Sequence, residues 1–262
     1  MQEAEDFLEE SRALERLVAS VEEPVLSTAT LFKQWTINDI LQHLHILNLA
    51  AYWALTDKAA FGRYATALLA NKSRMRAFEN EWLNGLRGST LVAAWRDFFP
   101  IVASAFRKQD GKVRLDWFGP PMSARSAITA RQMETWAHGQ AIFDVLGVER
   151  HDADRIRNIA HLGVLTFGWS FAGRGLQPPG PAPQVILRAP SGEIWRWNDN
   201  APGRVEGDAT EFCQVVTQTR NIADTQLRLE GASAQTWMAI AQCFAGSAQK
   251  PPAPGARRRA AF

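Results

Sequence analysis

The sequence predicts an α+β protein in two parts, a helical bundle on the N-terminal side and a small α+β module after it. Three observations predict this. Apolar residues recur at helical spacing through the first two thirds of the chain, the stretch GRGLQPPGPAP is too rich in Gly and Pro to continue any element, and short alternating runs of β-branched or aromatic residues come after it. With 262 residues, 46% of them hydrophobic and 21% charged, the chain can bury a sizeable core.

Phe7, Leu14, Leu17 and Val18 mark a first amphipathic helix, and Thr36 to Leu55 a second, longer one. Further helices are expected over Phe61 to Leu86, Thr90 to Gln109 and Ala124 to Leu146. Gly119, Pro120 and Pro121 interrupt the chain before the last of these; Ser123 is placed to cap its N-terminus and Gly147 its C-terminus. One more helix starts near Asp154 and runs to Phe171. With the boundary set at the Gly/Pro stretch, the bundle spans 1–176, the linker 177–183 and the small domain 184–247. There QVILRAP, EIWRWN and TQLRLEG read as strands, and Thr210 to Thr219 and Ala234 to Ala245 as helices. Residues 248–262 hold too little apolar material to offset their ordering entropy and are expected to form a disordered basic tail.

Composition excludes several function classes. The net charge of +2 includes the Arg triplet of that tail, so the folded part is near neutral and has no electrostatic footprint for nucleic acid. The N-terminus is acidic and amphipathic rather than a secretory signal, and no apolar stretch approaches the roughly 20 residues that span a bilayer. Cys213 and Cys243 form neither a disulfide framework nor a CxxC pair, which points to a reducing cytoplasm with both thiols buried. No repeat is present.

The chemistry concentrates in METWAHGQAIF. Glu134 and His138 are four apart, so on a helix both side chains project from one face and can reach the same ion. A third ligand would come from a facing helix, as bundles build metal sites from inward side chains. His43 and His45 are the candidates; they lie about 200° apart on a helix, so only one can share that ion. His43 sits between Ile40 and Leu47 in the apolar pattern, His45 in line with Leu41 and Leu49, and the pattern leaves the choice open. An ordinary surface pair is the competing account of Glu134 and His138.

QWTINDILQHLHIL resembles the segment of the DinB/maleylpyruvate isomerase-like families in which a Trp-Thr-hydrophobic-x-Asp start leads into a His-Leu pair. METWAHGQAIFDVLG resembles their second signature, and WFGPPMSARSAITARQMETWAHG, RIRNIAHLGV and DATEFCQVVTQTRNIADTQL are similar to an actinobacterial branch of metal-binding proteins. The likeness covers nearly the whole chain up to Gly246. It implies a DinB-like four-helix bundle whose metal ligands are His43, Glu134 and His138. It also implies a role in the active site for Arg220 of TQTR, where a guanidinium can hold a carboxylate bidentately. Mycothiol as the thiol cofactor and a homodimer are further implications. In two places where that branch carries Asp, this chain has Asn48 and Ala141.

Two imidazoles and one carboxylate suit zinc, nickel or ferrous iron and leave a coordination position open. The leading expectation is a metal-dependent enzyme acting on a small organic molecule by isomerisation, thiol transfer or Lewis-acid-assisted rearrangement, with Trp35, Trp53, Trp117 and Trp136 walling an apolar pocket. A non-catalytic metal- or ligand-binding protein is the first alternative. A metal-independent enzyme using His161 or Asp116 as acid or base is the second. Neither nucleic acid nor a membrane is an expected partner.

Overall fold

The computed structural model describes residues 1–258 and 260; the end of the basic tail, at 259, 261 and 262, lies outside the described residues. Two compact units divide it, Met1–Val145 and Leu146–Phe262.

In the first unit, α1 (Gln2–Val18), α2 (Ile37–Thr56), α5 (Gly88–Arg107) and α6 (Ala124–Val145) form a four-helix bundle, α1 and α2 each packing on α5 and α6. The stripes of α1 and α5 are those of amphipathic helices: α5 buries Leu91, Trp95, Phe99, Val102 and Phe106 along one face. Each such side chain contributes about 1.5–3 kcal/mol on leaving water. Helix α2 is different. It also meets α3 (Lys58–Ala70) and α4 (Met75–Trp82), so it is buried on nearly all sides.

The single helix expected over 61–86 is two. Asn71 ends α3 by donating its side-chain amide to the carbonyl of Ala67, and a 3-10 turn at Lys72–Arg74 redirects the chain into α4. Helix α5 starts at Gly88, whose φ of 63° brings it so close to Glu23 that a Cβ would lie 1.6 Å from that carboxylate. Glu23 in turn accepts from the Ser89 amide at 2.8 Å, and Asn38 from the Gly88 amide at 2.7 Å. A short hairpin of β1 (Arg114–Leu115) and β2 (Met122–Ser123) leads into α6, where Ser123 Oγ accepts from the Ser126 amide as the expected N-cap.

The second unit holds α7 (Arg157–Leu165), α8 (Phe167–Ala172), β3 (Gln184–Arg188), β4 (Ile194–Trp197), β5 (Arg204–Asp208), α9 (Ala209–Val216), β6 (Arg228–Glu230) and α10 (Ala232–Ile240). The sheet order is β4-β3-β5-β6, with β3 and β5 parallel and the other pairs antiparallel. Val185, Leu187, Trp195 and Val205 are buried together with Phe212 and Val216 of α9 and Trp237 of α10.

The structure departs from three expectations. The helix from 154 to 171 is broken at Thr166, whose hydroxyl bonds back to the Leu162 and Gly163 carbonyls. The division between units falls after Val145 rather than at 177–183, because α7 packs on α9 and α8 on α10, with Phe167 against Trp237 at 5.3 Å. The tail is not free as far as Arg257: the Gln249 carbonyl accepts from Arg174 and Gln218, that of Pro252 from Asn221, and Arg257 donates to Gln218. Among the described residues, no helix is long and apolar enough to cross a membrane.

Candidate metal centre

Helix α2 is started by a capping box in which the Asp39 amide donates to Thr36 Oγ1 at 3.1 Å and the Thr36 amide to the Asp39 carboxylate at 2.8 Å. Such a cap contributes about 1 kcal/mol. It also sets the phase of the helix, which carries His43 inward one turn later. From α6, Glu134 and His138 project from one face, as four-residue spacing requires. Glu134 Oε2 lies 3.0 Å from His138 Nε2 and 3.6 Å from His43 Nε2. One ligand atom from each of the three residues falls within 4.8 Å of the others. Ligand atoms around a tetrahedral ion at about 2.1 Å stand roughly 3.4 Å apart, so the donor set fits a divalent metal in both type and spacing.

His45 goes elsewhere. It is buried against Phe98 of α5 at 5.8 Å, its Nδ1 has no hydrogen-bond partner among the described residues, and burial pushes its pKa down to about 4. The choice between the two histidines that the sequence pattern leaves open is made by which neighbour each side of α2 meets.

Burial alone would discharge His43, but Glu79 and Glu134 on either side outweigh it and hold the ring up at about 9. Glu134, in spite of its burial, lies well below the ordinary carboxylate range because His138 and His43 both bond to it. His138 is pushed down by burial in spite of Glu134. Near neutral pH the metal-free trio therefore holds His43 as an imidazolium, with a proton on each ring nitrogen, beside a neutral His138.

An aromatic wall closes one side. The Trp35 ring stacks on His138 at 5.7 Å and meets His43 edge-on at 5.3 Å, and Phe32 meets His138 edge-on at 5.0 Å. Both rings come from one tight turn, where the Trp35 amide donates to the Phe32 carbonyl and Lys33 and Gln34 take φ values of 50° and 59°. Two successive positive φ angles make it a type I′ turn. The Arg76 guanidinium covers Trp35 at 5.3 Å and pairs with Asp39 at 2.5 Å. Trp53 and Trp117 belong instead to an aromatic cluster with Tyr64, Phe61 and Phe118, and Trp136 is wholly buried.

A family model described as the mycothiol maleylpyruvate isomerase N-terminal domain matches residues 7–143, the segment that forms the bundle and carries all three donors. The chain belongs to this family. An uncharacterized protein of Mycobacterium tuberculosis, found in two strains, is 39% identical over 247 residues, covering 92% of this chain and 94% of the relative. The fold is also that of the crystal structure of the mycothiol-dependent maleylpyruvate isomerase, with TM-score 0.53 and 14% identity, covering 82% of this chain and 87% of that one. A histidine-to-alanine variant of that isomerase matches with TM-score 0.51 and 15% identity over the same shares.

Within this family member, the other residues singled out from sequence are distributed differently. Arg220 and His161 belong to the second unit, apart in sequence from the trio of the first. Arg220 is half-buried after α9 and donates to the Thr219 carbonyl at 2.9 Å. His161 is exposed on α7, where its Nδ1 accepts from Trp197 Nε1 at 3.1 Å. Asp116 is exposed in the hairpin loop. Asn48, at one of the two Asp positions of the resemblance, is wholly buried, and its Oδ1 accepts from Arg131 Nε at 3.1 Å.

Two buried charges escaped the sequence reading. Arg131, one turn before Glu134, is 1% exposed and also donates to the Leu44 carbonyl. Desolvation lowers it to about 10, against the pull of Glu134, Tyr64 and Glu79. Glu79 of α4 is 1% exposed and lies 2.8 Å from His43 Nδ1. Arg131 shares the helix face of Glu134 by its i, i−3 spacing, a signal available in the sequence. Glu79 had none, since its position depends on the turn at 72–74.

Proposed function

We propose that this protein is a metal-dependent enzyme acting on a small organic molecule, by isomerisation, thiol transfer or Lewis-acid-assisted rearrangement, with mycothiol, on which the solved isomerases of the same fold depend, as the thiol cofactor. The observation that carries the proposal is the convergence of two imidazole nitrogens and one carboxylate oxygen from α2 and α6, with the Glu134 side chain still 23% exposed. His43, Glu134 and His138 would hold the ion, for which zinc fits best and nickel or ferrous iron also suits the donors. When bound there, a divalent ion supplies Lewis acidity, which polarises a carbonyl or brings a thiol or water toward its anion near neutral pH.

The chain's own residues supply the rest. Trp35 and Phe32 shield the imidazoles from water on one side, and Arg131 places a fixed positive charge behind Glu134. Arg220 is proposed to orient a substrate carboxylate through a bidentate contact. Cys213 and Cys243 are both buried and the sequence has no CxxC pair, and we include the cytoplasm in the proposal.

The test is metal analysis of the purified protein by plasma mass spectrometry beside His43→Ala and Glu134→Ala variants checked for folding by circular dichroism. Near-stoichiometric metal in the wild type, lost in both variants, is expected, followed by turnover that needs mycothiol. Folded His43→Ala and His138→Ala variants that lose the metal and keep full activity on an identified substrate would end the proposal.

A second reading, a metal- or ligand-binding protein without catalysis, is favoured by Asn48 and Ala141. Where the resemblance has two carboxylates, this chain offers an amide committed to Arg131 and a methyl group, and neither can carry a proton. Under the metal-independent alternative His161 would act as acid or base through Nε2, and turnover would survive chelation.

A further inference from the structure

We propose that Glu79 is a positioning residue of this metal centre: its carboxylate holds Nδ1–H of His43 and so turns the lone pair of Nε2 toward Glu134 and His138. The inference rests on the metal-site reading above and adds a residue from a third helix to it.

A neutral imidazole has one donor nitrogen and one acceptor nitrogen, and what the donor bonds to decides which nitrogen is left for a metal. At 2.8 Å, the Glu79 carboxylate oxygen Oε1 is placed to accept from Nδ1–H of His43. That leaves Nε2, which faces Glu134 at 3.6 Å. A carboxylate behind a ligating imidazole fixes the tautomer and the ring angle and raises the donor's basicity.

Three features make the contact more than a chance pair. Glu79 has 2% of its side chain exposed and His43 has 9%, so water does not compete for the bond. The ring is also held on its flank by the edge of Trp35 at 5.3 Å. And α4 lies against α2 because the chain breaks after Asn71; an uninterrupted helix from 61 to 86 would carry Glu79 along the axis of α3 instead. Arg131 and Tyr64, both buried, feel the same carboxylate, so Glu79 sits inside a polar interior rather than at the edge of an apolar one.

The test compares metal-depleted wild type, Glu79→Ala and Glu79→Gln, with cobalt(II) as the probe and its visible d–d absorption as the second readout. Glu79→Ala is expected to weaken cobalt binding about 10–100-fold and to alter the d–d bands, since His43 is free to rotate. Glu79→Gln keeps an acceptor oxygen of similar reach without the charge and is expected to recover part of the affinity, remaining about 3–10-fold weaker than wild type. If Glu79→Ala does not fold, the Gln variant decides: wild-type affinity and spectrum in it overturn the proposal. So does a folded Glu79→Ala variant with unchanged affinity and bands, as a purely structural Glu79 would produce, while leaving the His43/Glu134/His138 site intact. A wild type that takes up no cobalt overturns this proposal and the metal-site reading together.

Discussion

Two histidines two residues apart on one helix have opposite fates, and the difference is electrostatic as much as steric. His45 is buried against an aromatic ring, and burial lowers its folded pKa to about 4, below the unfolded value of about 6.5. A depressed histidine contributes stability that is present above the unfolded pKa and is lost as pH falls through the folded one. Urea unfolding of wild type and His45→Gln from pH 7 to 4 is therefore expected to shift by about 3 kcal/mol in favour of the variant. A constant gap across that range would mean the ring does not titrate in the core. His43 runs the other way. Raised to about 9 in the metal-free protein, it stabilises fully below 6.5 and loses that contribution as pH rises through 9. Its Nε2 proton must leave before a metal can bind, so zinc affinity is expected to climb about tenfold per pH unit toward 9. Chelator competition at pH 6.5, 7.5 and 8.5 measures the slope, and a flat profile would count against His43 as a ligand.

At the scale of elements, the turn that delivers Phe32 and Trp35 uses two residues poorly suited to it. Lys33 and Gln34 both adopt left-handed φ, where a type I′ turn favours Asn followed by Gly. The double change Lys33→Asn and Gln34→Gly is expected to raise stability by about 1 kcal/mol in thermal melts. A loss instead would show that contacts of the two side chains outweigh backbone strain. Helix α7 gives the reverse case. A Cβ on Gly163 would lie 2.9 Å from Val216 Cγ2 and 3.0 Å from Phe212 Cε1. Gly163→Ala is thus expected to cost about 1–3 kcal/mol in spite of its better helix propensity, because a β-branched side chain cannot step aside. Neither feature is visible in periodicity. Nor was β5, where RVEGD buries only Val205 within a charged run and so lacks the alternation that marked QVILR.

For the molecule as a whole, all three proposed ligands come from the first unit, so metal should stabilise it selectively. Zinc at a hundredfold excess over its dissociation constant adds about 2.7 kcal/mol to the state that binds it. Hydrogen exchange is expected to slow in α2 and α6 on zinc addition, to recover on chelation, and to change less in the β3–β5 sheet. Equal protection of both units would contradict the assignment of the site to the bundle alone.

The sequence by itself determined the α+β class, the start of α2 near Thr36, the Ser123 cap of α6 and the pairing of Glu134 with His138. Each arises from contacts within about one helical turn or one pleat, which spacing records. Tertiary structure decided the facts that depend on a neighbour distant in sequence. Helix α2 is buried on nearly all sides, so its apolar pattern has no preferred face and could not say whether His43 or His45 turns toward α6. Glu79 reaches His43 across 36 residues of chain only because a 3-10 turn redirects α4. The unit boundary is set by the partners of α7 and α8 rather than by the Gly/Pro stretch, since burial of an apolar face, not the flexibility of a neighbouring loop, determines the unit to which a helix belongs.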